Sequence, residues 1–234
     1  MIIIGSARHD EYGKYANGRA GDQDGTEVST QNFYLHSKGW YVIRPNNLEK
    51  AQKIAYAMNA ACNNNHIGYD QNQRNSLYSA AKAVSYDPAR VNVDTETDCS
   101  ALVRVCCLYA GINARDFTTA NECDVLDATG EFQIFAYTDG TNLYAGDILV
   151  TKTKGHTVVV TSSDKFRQKY PIGWNQDEES KKWWYQYGPK DNEYYSNRVV
   201  RINGKYYAFG KDGYMKEGSA TIYLDRNGEI VSVE

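Results

Sequence analysis

Thr97-Asp98-Cys99-Ser100-Ala101-Leu102-Val103-Arg104-Val105-Cys106-Cys107-Leu108-Tyr109-Ala110-Gly111 is the stretch that decides how the rest of this chain is read. Thr97 and Asp98 are capping residues, the apolar positions that follow recur at helical spacing, and Gly111 supplies a stop. A helix is expected from Asp98 to about Ala110. Cys99 then sits in its first turn, where unpaired backbone N–H groups and the positive end of the helix dipole favour a thiolate. That position suits a nucleophile, although a small core residue at a helix start would satisfy it equally.

Upstream of this helix, Gln71 to Val84 reads as another, with Leu77, Ala80, Ala81 and Val84 on one side. Asn46 or Asn47 caps a helix bearing Leu48, Ala51, Ile54, Ala55, Met58 and Cys62 on its apolar face. Trp40 to Arg44 reads as a strand stopped by Pro45, and Ile2 to Ser6 as a short strand. Lys14 to Gly25, rich in Gly and Asp, reads as loop. Downstream, Phe132 to Ala136, Ile148 to Thr151 and Thr157 to Thr161 read as strands. The expected class is α+β, with helices against an antiparallel sheet. His156 opens the last of these strands, so its ring can stand at a sheet edge. His9, His36 and His66 lie in turns and polar connections.

Near Asp164 helix periodicity stops, and aromatics alternate with Gly, Asn and Asp turns. Residues 1–165 and 166–234 are expected to be separate domains, the second a small all-β unit of hairpins. Tyr207 to Met215 echoes Ile222 to Ile230 at an offset of 15, each with a turn ending in Gly. Units this short bury no face alone and should stack.

Bulk properties exclude several classes. The chain has 234 residues, 41% hydrophobic and 24% charged, as globular proteins do. A net charge of -3 carries no nucleic-acid footprint. No apolar run reaches the roughly 20 residues that span a bilayer. Met1 to Gly5 has no basic n-region and is too short for a signal segment, so synthesis and retention in the cytoplasm until release are expected. Cys62, Cys99, Cys106, Cys107 and Cys123 form no CxxC pair, so free thiols and no zinc cluster are expected. Asp22-Gln23-Asp24-Gly25 starts like a calcium loop but lacks the later ligands and closing Glu. The glycines from Gly18 to Gly25 precede no Gly-Lys-Ser/Thr. Neither metal nor cofactor is expected. Twenty tyrosines and four tryptophans beside six phenylalanines suit half-wet, ligand-gripping surfaces.

Asp98-Cys99-Ser100-Ala101-Leu102-Val103, Gly146-Asp147-Ile148-Leu149-Val150 and Gly155-His156-Thr157-Val158-Val159 resemble the three motifs of the NlpC-like and CHAP peptidoglycan hydrolases. Those are papain-like cysteine enzymes. Ala20 to Val28, with Gly68-Tyr69-Asp70-Gln71, resembles endolysins of phages that infect Gram-positive gut bacteria. The resemblance spans most of residues 1–165. It implies a papain-like fold in which Cys99 attacks an amide of the peptidoglycan stem peptide and His156 acts as base, then acid. It also implies that Tyr69, Asp98 and Ser100 grip the substrate's amino end, although Asp98 and Ser100 equally fit helix capping and Tyr69 equally fits core packing. The family's third residue lies on the strand after the His strand, and no such strand is visible after Thr161. The orienter is therefore sought in the N-terminal block: Asp22 first, with Gln23 and Gln168 as rivals, and with turn chemistry as the plainer role for Asp22.

Gly173 to Glu178, Trp183-Trp184-Tyr185 and Ile202 to Met215 resemble cell-wall-binding repeats of the choline-binding type. Trp174, Trp183, Trp184, Tyr206, Tyr207 and Tyr214 would then form pockets for choline or wall glycan, or else fill hairpin cores. The function implied is an endolysin that lyses cell walls as an endopeptidase or N-acetylmuramoyl-L-alanine amidase, with peptidoglycan as partner and neither nucleic acid nor membrane. The alternative is a catalytically inactive wall-binding module.

Overall fold

In the computed structural model, which describes residues 1–188 and 192–234, the chain alternates strands and helices up to Ser163 and then runs in strands alone. It divides into two compact units, Met1–Lys165 and Phe166–Glu234. The class is α+β, with a six-stranded sheet, small two-stranded sheets and few helices.

The first unit opens with β1 (Ile2–Ala7), β2 (Val28–Asn32) and β3 (Trp40–Pro45), then α1 (Leu48–Cys62). Asn47 caps α1 by accepting from the Lys50 N–H, as its side-chain chemistry dictates. A short parallel pair follows, β4 (Ile67–Tyr69) and β5 (Thr95–Thr97), with α2 (Ser76–Lys82) between them. The helix expected from Gln71 is thus only seven residues long. Residues Gln71 to Asn75 form turns instead, in which the Asp70 carboxylate accepts from the Asn72 N–H at 2.6 Å. Then come α3 (Cys99–Tyr109), α4 (Glu122–Asp127), β6 (Phe132–Ala136), β7 (Ile148–Thr151) and β8 (Thr157–Ser163).

The six-stranded sheet has the order β2-β1-β8-β7-β3-β6, antiparallel throughout. Period-two alternation sends neighbours to opposite faces. Ile43, Ile148, Val150 and Val159 join Ile54, Met58, Leu102, Val105 and Cys106 of α1 and α3 in the main core. Val42, Leu149, Val158 and Val160 pack with Ile4 and Trp40 on the other face. The chain ends β8 without adding a following strand, and β1 occupies the adjacent position through Gly5–Val159 and Ile4–Val160 pairing. The Gly-Asp motif before β7 has a structural basis. Gly146 has φ +90, and a Cβ there would strike the Ala51 backbone of α1. Asp147 is buried and holds Arg44 through bonds of 2.9 and 2.7 Å.

The second unit has three hairpins: β9 (Gly173–Gln176) with β10 (Trp183–Gln186), β11 (Arg198–Ile202) with β12 (Lys205–Phe209), and β13 (Ile222–Leu224) with β14 (Ile230–Val233). The echo at offset 15 is only partly structural. Ile222 to Ile230 spans a hairpin turn, whereas β12 pairs backward with β11, leaving a single bridge from Phe209 to Met215.

One ion cluster fixes the start of α3. Arg74, in the turn before α2, donates to Asp98 at 2.6 Å, to Ser100 at 3.0 Å, to the Phe117 carbonyl at 2.5 Å and to Asp116 at 3.1 Å. The Arg74 and Asp98 side chains are only 16% and 12% exposed. Removing one partner of such a pair strands the other charge, at a cost of roughly 3 kcal/mol. Arg74→Met should therefore lower the thermal melt by about 10 °C. An unchanged melt would show that solvent already screens Asp98.

Candidate functional site

Helix α3 begins at Cys99 because Asp98 holds extended backbone and its Oδ1 accepts from the Ala101 N–H at 2.7 Å. Ser100 Oγ donates to the same carboxylate at 2.8 Å and accepts from Arg74. Asp98 and Ser100 are thus both engaged within the protein. Cys99 is 8% exposed. Its sulfur lies within reach of the backbone N–H groups of Thr157 and Ser100. The opening residue of β8 therefore meets the opening residue of α3.

Burial, reinforced by the Asp98 charge, pushes the Cys99 thiol up to about 12. This reverses the helix-start expectation of a lowered thiol. Two N–H contacts favour the thiolate, but taking that charge out of water outweighs them. Burial likewise pushes His156 down to about 4, helped by the neighbouring His36 and Arg8. The two residues rest as neutral thiol and neutral imidazole. Among the described residues, no hydrogen bond joins the His156 ring to Cys99.

The ring is instead held by β1. His156 Nε2 lies 3.3 Å from Ser6 Oγ. With Nε2 facing that hydroxyl, Nδ1 is the ring nitrogen left for other chemistry. Asp22 is not brought to His156. Its Oδ1 accepts from Gly25 at 2.7 Å and Asp24 at 3.2 Å, closing its own turn. Gln23 donates to the Ala20 and Gly21 carbonyls, and Gln168 falls in the second unit. Ser6 carries no sequence signal of its own. Only the β1–β8 pairing reveals it.

Tyr69 lies near Cys99 and is 3% exposed. Burial, with the Cys99 charge next, raises its phenol. Its hydroxyl accepts from Gln71 at 3.1 Å.

A further residue, Glu122, the first of α4, carries no sequence signal that singles it out. It is fully buried, and its Oε1 accepts from the Thr157 hydroxyl at 2.7 Å. Its Oε2 accepts no hydrogen bond. Burial pushes the carboxyl up to about 8, so it rests protonated beside Cys99. Glu122 thus braces the strand residue whose N–H faces the sulfur, without adding charge.

The aromatics of the second unit separate into three groups. Trp174 packs with Tyr185, Tyr207 and Phe209 at 5.2, 4.8 and 6.0 Å between ring centres. Trp184 and Tyr214 instead line a cavity of 670 Å³ with Tyr170, Tyr194 and the acidic Asp177 and Asp212. Trp183 and Tyr206 are exposed, at 37% and 74%.

Because Glu122 is neutral in the fold and ionised when unfolded above its ordinary value of 4.5, the stability tied to its burial is complete below that value. That stability drains away as pH rises toward about 8. Glu122→Gln should therefore gain on the native protein from pH 5 to pH 8 in paired thermal melts. Melts that stay parallel across that range would contradict the assignment.

The family model for the endolysin-like domain matches residues 4–166. No curated protein and no solved structure matches the chain. The matched span exceeds half of the chain and contains the whole Cys99–His156 region. It supports an endolysin, suggests cell-wall lysis as the function and fits peptidoglycan as the substrate. The chain belongs to the endolysin-like domain family.

Proposed function

We propose that the chain is a phage-type endolysin that cleaves an amide bond of the peptidoglycan stem peptide with Cys99 as nucleophile and His156 as general base. The observation that carries this reading is the meeting of α3 and β8, with the Cys99 sulfur against the N–H of the residue next to His156. A cysteine at a helix start, packed against the antiparallel sheet at the residue that follows His156, supports a papain-like reading, as does the order of the motifs, which resembles that of the NlpC-like and CHAP enzymes.

The pair rests neutral, so proton transfer accompanies attack. In this reaction His156, which rests on the Ser6 side of β8, turns Nδ1 toward Cys99 and takes the thiol proton as the sulfur bonds to the amide carbonyl carbon. The C–N bond then breaks, and the imidazolium protonates the departing amine. Water, deprotonated by the same ring, releases the thioester as a carboxylate and restores the thiol. Ser6 positions the ring at Nε2 in place of Asp22. The Thr157 N–H, braced through Glu122, stands beside the sulfur. Tyr69, Asp98 and Ser100 border the nucleophile and shape the approach of the substrate's amino end.

In this reading, residues 166–234 anchor the enzyme to the wall. The cavity between Trp184, Tyr194 and Tyr214 offers ring faces to a sugar, and its acidic rim suits a quaternary ammonium such as choline. Trp174 and Tyr207 hold the hairpins together, while Trp183 and Tyr206 extend the aromatic surface. Synthesis in the host cytoplasm, followed by release to the wall, completes the picture. No described helix is long and apolar enough to cross a membrane.

A second reading draws on the missing Cys99–His156 hydrogen bond: a wall-binding module without catalysis. Clearing of Gram-positive cell walls separates the two. The native protein should clear them, and Cys99→Ala should lose at least about a thousandfold in rate. Wall binding without clearing by the native protein would establish the second reading. Mass spectrometry of the released fragments then assigns the bond cut. The resting thiol is tested separately by alkylation of the Cys99 peptide with iodoacetamide. Its rate should climb about tenfold per pH unit from pH 6 to pH 9. A plateau in that window would reveal a preformed thiolate–imidazolium pair.

A further inference from the structure

A cavity of 460 Å³ opens on the first unit between the exposed flank of α1 and strands β1, β2 and β8, and neither Cys99 nor His156 lines it. Its volume falls within the roughly 300–1,000 Å³ of small-molecule sites. Gln52, Ala55, Tyr56 and Asn59 face it from α1, at the spacing of one helix face. Ile3, Thr30, Thr161 and Ser162 face it from the strands. Adjacent strand residues normally point to opposite faces, yet Thr161 and Ser162 both border the cavity. Their register explains this. Ile3 pairs with Ser162 and Ile4 with Val160, so Thr161 is an extra residue, a bulge that re-aims the side chains beside it. Gly5 lets α1 lie close to the sheet at this point, since a Cβ there would be 2.8 Å from Met58 and 3.1 Å from Thr161.

The lining is polar but uncharged. Among the described residues, no Lys, Arg, Asp or Glu contributes to it. The side chains of Thr30, Gln52, Asn59 and Ser162 form no hydrogen bond with any described residue, so their amide and hydroxyl groups are free for a ligand. Tyr56 adds a ring that is 49% exposed and already held in place. Tyr109 of α3 stacks on it, with 5.4 Å between ring centres and 29° between planes. A fixed ring loses little freedom when a ligand arrives. The components of a cell wall differ in what would hold them. A stem-peptide carboxylate calls for Lys or Arg, and a quaternary ammonium calls for several rings or acidic groups. This lining offers neither. It does suit a neutral sugar, whose apolar face lies on one ring while its hydroxyl and acetamide groups pair with amides and hydroxyls.

We propose that this cavity binds an uncharged, N-acetylated sugar of the glycan strand, with Tyr56 against the sugar ring and Gln52, Asn59, Thr30 and Ser162 around its polar edge. The choice of a wall sugar rests on the peptidoglycan reading above. Thr161 lies four residues along β8 from Thr157, about 13 Å at the rise of a strand, and the Thr157 N–H meets the Cys99 sulfur. A glycan held here keeps the wall on the unit that carries the nucleophile, independently of the aromatic cavity in residues 166–234.

The probe is the β-linked N-acetylglucosamine tetramer, which has no stem peptide, so binding is read without lysis. It is titrated by calorimetry into the full chain carrying Trp184→Ala, which removes a sugar-facing ring of the second unit. That chain should still bind the tetramer. Adding Tyr56→Ala should weaken binding at least about tenfold. Gln52→Ala and Asn59→Ala, at exposed helix positions where alanine preserves α1, should together do the same. If Tyr56→Ala does not fold, that pair decides. In the native chain the same substitutions should remove one equivalent of bound tetramer. Absence of binding by the Trp184→Ala chain overturns the proposal. So does binding that none of the α1 substitutions weakens. Walls cleared by a chain that ignores the tetramer overturn this site alone. Tetramer held at α1 by a chain that clears no wall supports the site and removes the catalytic reading instead.

Discussion

The Asp98 carboxylate is the constraint from which the first unit's candidate site is built. It caps α3 and thereby decides which residue occupies the first turn. It also takes the Arg74 guanidinium, so the same two oxygens tie α3 to the turn before α2 and, through Arg74, to residues 116–117. A cap alone is worth about 1 kcal/mol. A partly buried, multiply bonded guanidinium adds geometric precision, because its donors are fixed in one plane. The position of Cys99 against β8 inherits that precision.

Burial then governs the chemistry more strongly than the helix dipole does. Cys99, His156 and Glu122 each carry no charge at neutral pH, chiefly because burial of Cys99 and Glu122, and partial burial of His156, takes away the water that would solvate an ion. Under the proposed mechanism no ion pair has to reorganise before attack, and the proton moves with the sulfur. The same loss of water falls on Asp10, Glu27, Asp70 and Glu96, where burial pushes the Glu96 carboxyl up to about 8 and three oxygens remain without donors.

The second unit solves a different problem. Its three hairpins cannot each bury a face, and Trp174 supplies the shared contact by meeting Tyr185 of its own hairpin and Tyr207 and Phe209 of the next. Tyr195 adds to this by packing on both Tyr185 and Phe209. Once those rings are committed to the interior, Trp184, Tyr194 and Tyr214 remain to line the cavity. Aromatic content therefore serves two ends that side-chain type alone does not separate.

Local rules read directly from the residues account for α1 with its Asn47 cap, α3 with its Asp98 cap, and strands β1, β3, β6, β7 and β8. Each is set by periodicity and capping within a dozen or so neighbours. Where the helical signal weakens, as at Gln71 to Asn75, turn bonding by Asp70 prevails and α2 is shortened. The placement of Cys99 as the first residue of α3 and of His156 just before β8 was legible for the same reason. Everything that depends on pairing distant segments was not. The strand beside β8 comes from the chain's far end, so the residue at His156 is Ser6, 150 positions away, and Asp22 merely closes its own turn. Nothing in the sequence singles out Glu122 or Glu96, and only the fold buries them. The helix start at Cys99 suggested a thiol of lowered pKa, and the depth of the site raised it, because solvation is a property of what surrounds a residue in space and not of its neighbours in sequence.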